Sequence, residues 1–110
     1  MSLQVRVSER AERDVDAIFE WLEKHSPDGA LRWYEAYLNS LNSLPLKAPG
    51  SASAPETESL EADVRQVFFK TRKGRTYRLL LFIMGQYIHV VGIRGAGQAN
   101  VTRNDLEFPE

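Results

Sequence analysis

Basic side chains are the residues of this sequence that are best suited to chemistry. Residues 64–103 hold eight Lys and Arg residues and no Asp or Glu, whereas residues 1–63 hold 12 acidic and 6 basic residues. The net charge of −1 therefore conceals a strongly basic C-terminal half. This asymmetry indicates either a polyanion or an acidic protein as partner, or a solvated basic face without a partner.

Two arginines occupy special positions in this basic half. Arg78 opens the second of three predicted strands and Arg94 closes the third. An arginine is costly there unless it reaches solvent or an anion. In a meander these two strand ends are neighbours, so both guanidinium groups can meet one phosphate or carboxylate. The alternative is that each arginine pairs with an acid of its own chain. The candidate anion- or target-binding residues are Lys70, Arg72, Arg75, Arg78 and Arg94.

Other catalytic signals are sparse. His89 lies in a hydrophobic run, which favours a structural histidine, and it remains a catalytic candidate beside Arg78 and Arg94. Asp14 and Asp16 have the spacing of solvated acids on an exposed helix side. The sequence has two histidines and no cysteine, and it lacks a phosphate-binding glycine loop, an HExxH motif and a nucleophile elbow. We therefore predict no metal and no cofactor.

The bulk properties indicate one soluble domain. The chain has 110 residues, of which 43% are hydrophobic and 26% charged. Its N-terminus has no apolar signal-peptide region, and no apolar run approaches the roughly 20 residues of a membrane span. The absence of cysteine suits a reducing compartment. We expect a cytoplasmic protein with no membrane partner.

The first half of the chain predicts one strand and two helices. Leu3–Val7 alternates apolar and polar residues, as a strand does. Ser8 is positioned to cap a helix that runs to about Lys24, and Ser26 caps a second helix that Pro45 ends. The short connection between the helices predicts an antiparallel hairpin. The apolar stripe of the first helix consists of Ala11, Val15, Ile18, Phe19 and Leu22.

The second half predicts a loop and a β-meander. Small residues, Pro and Gly dominate residues 47–59, which is typical of a flexible surface loop. Strands follow at about Val64–Thr71, Thr76–Ile83 and Tyr87–Ile93, and their short turns require antiparallel pairing. The middle strand is apolar on both faces, which favours a central position. No internal repeat is evident.

These elements predict an α+β fold. An N-terminal strand and a two-helix hairpin pack on a mainly antiparallel sheet, which the C-terminal three-stranded meander completes. One face of the sheet takes the helices and the other stays open to ligands. A single domain spans residues 1–98, and a loose tail follows at 99–110.

This order of elements, together with four segments, resembles the RelE/ParE toxin superfamily. The resemblance spans Val5 to about Gln98. It implies the toxin of a type II toxin–antitoxin, or plasmid stabilisation, module, which inhibits growth and is neutralised by a cognate antitoxin. It is compatible with a homodimer or with a hetero-oligomer containing the antitoxin. The segments are SERAERDVDAIFEWLEKHSPDGA, LNSLP, VRQVFFKTRKGRTYRLLLFI and YIHVVGIRGAGQ.

The resemblance implies one of two mechanisms. RelE-like members are endoribonucleases that cleave mRNA on the ribosome, whereas ParE-like members poison DNA gyrase without that catalytic set. Arg78 matches the arginine of the family's Tyr-Arg strand, and Arg94 matches the arginine near the end of the last strand. Lys70 and Arg72 match basic positions only loosely. The segment after Arg94 lacks the Tyr or His of RelE-like nucleases, which favours the ParE-like, non-enzymatic hypothesis. The endoribonuclease and an inactive, antitoxin-binding relative stay open as alternatives.

Overall fold

The computed structural model describes residues 3–60, 62–72 and 74–95. Its elements form an α+β fold, as predicted. The predicted domain end at residue 98 and the predicted tail at 99–110 lie outside the described residues. The elements, in chain order, are β1 (Gln4–Val7), α1 (Glu9–His25), α2 (Pro27–Lys47), a 3₁₀ turn (Ala48–Gly50), β2 (Ala52–Ser53), α3 (Glu56–Leu60), β3 (Arg65–Lys70), β4 (Thr76–Met84) and β5 (Tyr87–Gly95).

One five-stranded sheet organises the molecule in the order β1-β5-β4-β3-β2. Only β1 and β5 pair in parallel, and the other pairs are antiparallel. The prediction of a mainly antiparallel sheet with the middle strand at its centre is confirmed. Gly85 begins the two-residue turn between β4 and β5 and has φ of 61°, a left-handed conformation that glycine adopts without steric cost.

Both predicted helix caps are present. The Ser8 hydroxyl accepts a hydrogen bond from the Ala11 N–H, and the Ser26 hydroxyl accepts one from the Gly29 N–H, each at 3.0 Å. Ser26 alone separates α1 from α2, so the two helices form a tight hairpin that packs on one face of the sheet, which we call the helix face. Within the described ranges, no helix is both long and apolar enough to cross a membrane.

The main core lies between the helices and the helix face of the sheet. Its centre is aromatic: Trp33, Tyr37, Phe69 and Tyr77 lie with ring centroids 5.5–6.1 Å apart in successive contacts. The predicted stripe of α1 faces this core, as expected. The buried members of the core are Ala11, Val15, Trp33, Tyr37, Leu44, Ala48, Val67, Phe69, Tyr77, Leu79, Leu81, Ile88, Val90 and Ile93.

Two local predictions about the helices are wrong. Pro45 lies inside α2, which continues to Lys47. Proline removes one backbone hydrogen bond, but the full burial of Leu44 and Ala48 in the main core offsets that loss. Asp14 is not simply solvated, because its carboxylate accepts hydrogen bonds from the Ile93 N–H at 3.1 Å and from Arg10 at 3.2 Å. It thereby joins α1 to β5.

The segment at 47–59, for which the sequence predicts a flexible surface loop, contains secondary structure. The 3₁₀ turn, β2 and most of α3 lie within this segment, and β2 pairs with the start of β3. Ala54 and Leu60 pack with Leu80, on the face of the sheet opposite the helices, which we call the second face. Part of the second face is therefore covered rather than open to ligands. Its small core consists of Ala54, Leu60, Val64, Leu80 and Val91.

Candidate functional site

Arg78 and Arg94 are direct cross-strand partners on β4 and β5, so the predicted proximity of the two arginines is confirmed. Phe68 of β3 lies opposite Arg78 on its other side, which places the three residues in one row across the second face. Two like charges opposite each other repel. This row therefore requires a nearby anion.

Glu56 of α3 supplies that anion. Its two carboxylate oxygens each accept a hydrogen bond from one terminal nitrogen of the Arg78 guanidinium, at 2.7 Å in both cases. The Glu56 carboxylate is fully buried, and the Arg78 side chain is largely buried. Arg78 thus pairs with an acid of its own chain, as in the second of the two possibilities that the sequence left open. Sequence reasoning missed Glu56, because the small residues, Pro and Gly of the segment that carries it are typical of a loop.

Lys70 extends the same face toward the edge of the sheet. It lies at the end of β3 opposite Thr76 and is exposed. Alternation along the strand places it on the side of Phe68, whose ring is also exposed. Lys70 and Phe68 thus form an accessible basic and apolar edge beside the row that contains Arg78 and Arg94.

His89 lies on a different part of β5. The His89 ring stacks on Phe82 with centroids 5.2 Å apart, and its centroid lies 6.0 Å from that of the Tyr87 ring. The Arg6 guanidinium carbon lies 4.0 Å from the centroid of the Tyr87 ring. Burial, together with Arg6, lowers the pKa of His89 below its ordinary value of 6.5. Arg94 lies five positions after His89 along β5, a separation of roughly 16 Å. The three catalytic candidates therefore do not converge on one point.

Arg72 and Arg75 lie at a second site, at the turn between β3 and β4. They line a pocket of about 580 Å³ between this turn and the junction of α1 and α2. We call it the hairpin pocket. Its lining residues are Trp21, Leu22, Ser26, Gly29, Arg32, Trp33, Thr71, Arg72, Gly74, Arg75 and Tyr77.

The hairpin pocket is cationic. Arg32, Arg72 and Arg75 line it, and none of the lining residues that the structure describes is an acid. Across the described ranges, none of these three guanidinium groups takes part in an ion pair. A terminal nitrogen of Arg32 lies 3.8 Å from the place that a Cβ on Gly29 would occupy, so its head group lies over the first turn of α2. Sequence reasoning missed Arg32, because the first half of the chain is acidic overall.

Aromatic rings form the walls of the hairpin pocket. Trp33 is buried and meets Tyr77 edge to face with centroids 5.5 Å apart. Burial raises the pKa of the Tyr77 phenol and Arg75 opposes that rise, so Tyr77 is a neutral hydroxyl at pH 7. Trp21 is 51% exposed and stacks on His25 with centroids 4.1 Å apart. The buried indole N–H of Trp33 has no acceptor among the residues that the structure describes.

The predicted basic residues thus divide into two groups. Arg72 and Arg75 line the hairpin pocket, whereas Lys70, Arg78 and Arg94 lie on the second face. In the described part of the chain, no group of three or more His, Asp or Glu side chains could hold a metal ion.

A comparison with solved structures identifies the fold. One chain of the structure described as "Chromosomal ParDE TA system from P. aeruginosa" superposes with a TM-score of 0.67, over 86% of this chain and 96% of that one. The two sequences are 19% identical. The resemblance noted from the sequence is therefore confirmed at the level of the fold. No protein-family model matches the chain, and no curated protein matches it.

Proposed function

We propose that this protein is the toxin of a type II toxin–antitoxin module, that it is ParE-like, and that a cognate antitoxin neutralises it. The likeness of its fold to a chain of a ParDE system, over nearly the whole of both chains, is the observation that carries the proposal. The toxin acts in the cytoplasm by binding a macromolecular target, DNA gyrase, and it requires no cofactor.

The basic side chains that remain accessible are the proposed target contacts. Arg72 and Arg75 are exposed at the β3–β4 turn, and Lys70 is exposed at the end of β3. Arg78 stabilises the fold through Glu56, so its contribution to target binding is indirect. A ParE-like mode of action suits this arrangement, because binding a protein target needs a charged surface and no catalytic constellation.

Expression in a bacterial host tests the proposal. Induction of the chain alone should arrest growth and induce the DNA-damage response, and co-expression of the antitoxin gene expected beside it should restore growth. In a purified supercoiling assay, the chain should inhibit gyrase. Harmless expression of well-folded protein would overturn the toxin assignment and favour the inactive, antitoxin-binding relative.

A second readout separates the two modes of toxicity. We expect the ends of cellular mRNA to be unchanged after induction. New cleavage sites within translated codons would replace the gyrase proposal with the ribosome-dependent endoribonuclease. The Arg72→Gln/Arg75→Gln variant should be less toxic than the wild-type chain, whereas Lys24→Gln/Lys47→Gln removes the same charge from the helices and should stay toxic.

A further inference from the structure

The hairpin pocket has the size and shape of a small-molecule site. Its volume of about 580 Å³ falls within the range of roughly 300–1,000 Å³ that is typical of ligand pockets. It is formed by side chains from both helices and from the β3–β4 turn, so it depends on the tertiary fold rather than on one element.

The positive charge of the lining residues favours an anionic ligand. Three arginines are among the described lining residues of the pocket, and no carboxylate is. This contrasts with Arg78, whose charge is balanced by Glu56 at 2.7 Å. Arginine's planar fork of donors matches the oxygens of a phosphate group, and several arginines around one anion suit its double negative charge. The Arg32 head group also lies over the N-terminus of the 21-residue helix α2, where an anion is favoured.

The aromatic side chains of the pocket favour a ligand with a planar ring. Trp21 is half exposed although its ring is one of the largest apolar groups in the chain, and one of its faces stacks on His25. An exposed indole at the mouth of a cationic pocket offers a stacking surface for a heterocycle. Leu22 and Tyr77 add apolar surface to the same pocket.

The buried indole of Trp33 forms part of the inner wall of the pocket. Trp33 is 3% exposed and lines the pocket, and its indole N–H has no acceptor within the described ranges. A buried donor that lacks an acceptor costs free energy. The indole nitrogen itself is inaccessible to solvent, so the Trp33 ring contributes apolar surface to the pocket rather than a hydrogen bond to a ligand.

We propose that the hairpin pocket binds a nucleotide. The phosphate lies among Arg32, Arg72 and Arg75, and the base stacks on Trp21. The same chemistry is offered by a free mononucleotide and by a nucleotide within a single strand of nucleic acid. This binding property does not require the toxin assignment, although Arg72 and Arg75 are also proposed target contacts.

The protein carries its own probe for this site. Trp21 and Trp33 are its only tryptophans, and both line the hairpin pocket. Titration of the purified full chain with AMP should change the tryptophan emission, excited at the red edge where adenine does not absorb. Adenosine and inorganic phosphate, each of which offers half of the ligand, should bind at least tenfold more weakly than AMP. Comparison of a short oligo-deoxyadenylate with AMP distinguishes binding of a nucleic-acid strand from binding of a mononucleotide. The proposal is supported whichever of these two ligands binds more tightly.

Matched variants locate the site. Arg75→Gln should weaken AMP binding about tenfold through the loss of one charge-assisted contact. Lys47→Gln removes the same charge at the other end of α2 and should leave the affinity unchanged. Trp21→Leu, followed by calorimetry, should weaken AMP more than inorganic phosphate. All three positions are exposed, and circular dichroism verifies the fold of each variant.

Three results would overturn the proposal. The first is the absence of any AMP or oligonucleotide binding by the folded chain. The second is equal affinity for AMP and inorganic phosphate, which would leave an anion site without a ring subsite. The third is an acidic peptide with an aromatic residue binding more tightly than either nucleotide probe, which would assign the pocket to a protein partner. The assay contains no gyrase and no antitoxin, so none of these results bears on the growth phenotype.

Discussion

At the scale of single residues, the ion pair between Glu56 and Arg78 determines how the second face of the sheet is used. Arg94 lies directly opposite Arg78, so two positive charges would face each other without the Glu56 carboxylate. The pair is bidentate and buried, which makes its geometry specific but also makes each partner costly to leave alone. An arginine that resembles an anion-binding residue in the sequence thus has a structural role.

Removal of the Glu56 charge should destabilise the protein strongly. Glu56→Gln leaves the Arg78 guanidinium buried without its counter-charge, and we expect a loss of about 3 kcal/mol in the free energy of unfolding, measured by chemical denaturation. Asp63→Asn is the matched control, because Asp63 pairs with Arg65 at 3.5 Å and its side chain is 70% exposed. That control should cost less than about 1 kcal/mol. Equal losses in the two variants would contradict the assignment of Arg78 to the scaffold.

Tyr37 should make stability fall in alkaline solution. Burial, followed by the neighbouring Tyr34 and Glu12, raises the pKa of Tyr37 to about 12. An unfolded tyrosine ionises near pH 10, so between about pH 10 and 12 the unfolded chain has lost a proton that the folded chain keeps. The free energy of unfolding contributed by this residue then decreases by about 1.4 kcal/mol per pH unit as pH rises.

Tyr37→Phe measures that contribution. The variant has no proton to lose at this position, so its stability should decline less steeply than that of the wild-type chain across the same pH window. Denaturation curves recorded at several pH values provide the two slopes. Slopes that coincide would show that the buried Tyr37 hydroxyl does not carry the raised pKa.

Residue-level prediction from the sequence succeeded where the partner is close in the chain. Ser8 and Ser26 were identified as caps because each meets a backbone amide three residues away. Glu56 and Arg78 are 22 residues apart, and Asp14 meets the Ile93 amide across 79 residues. No local pattern in the sequence encodes such a pairing, since it follows from the docking of a helix or short segment on the sheet.

At the scale of elements, the segment from β2 to α3 acts as a cover for the second face. Ala54 and Leu60 pack against Leu80, and the Thr57 hydroxyl donates to the Val64 carbonyl at 2.6 Å while it accepts from the Val64 N–H at 3.0 Å. These contacts place Glu56 beside Arg78. The cover and the ion pair thus depend on each other.

Truncation of Leu60 tests this cover. Leu60 is 1% exposed, so Leu60→Ala should lower the free energy of unfolding by about 2–4 kcal/mol through lost burial and a cavity in the small core. Leu46→Ala removes the same atoms from a side chain that is 91% exposed and should change stability by less than about 0.5 kcal/mol. A small loss at Leu60 would instead favour a flexible surface loop at 47–59.

The elements that the sequence predicted best are those with a strong period or a defined turn. The α1 stripe repeats every three to four residues, and Gly85 marks the β4–β5 turn, so both were found. The segment at 47–59 was missed because its buried apolar residues are alanines, which also occur in loops. Pro45 was misjudged because burial of the neighbouring Leu44 outweighs the local preference.

At the scale of the whole molecule, acidic and basic residues are separated along the sequence, and the fold brings some of them into ion pairs. Residues 64–103 have eight bases and no acid, yet Glu56 and Asp63 neutralise Arg78 and Arg65 within the structure. The exposed positive charge therefore concentrates at the β3–β4 turn, where Arg32 joins it from α2. A cationic surface in the C-terminal half was predictable from the composition, whereas the contribution of Arg32 and the neutralisation of Arg78 by Glu56 were not.

This concentration of charge should dominate binding to a polyanion even though the net charge is −1. Interactions between exposed charges are screened beyond about 10 Å at 0.1 M salt, so a polyanion meets the local cluster rather than the average of the molecule. The folded chain should therefore be retained on heparin at neutral pH and low salt. Arg72→Gln/Arg75→Gln should elute at a clearly lower salt concentration, and Lys24→Gln/Lys47→Gln, which has the same net charge, should shift less. Identical elution of the two variants would show that binding follows net charge, which would leave the β3–β4 turn without a special role.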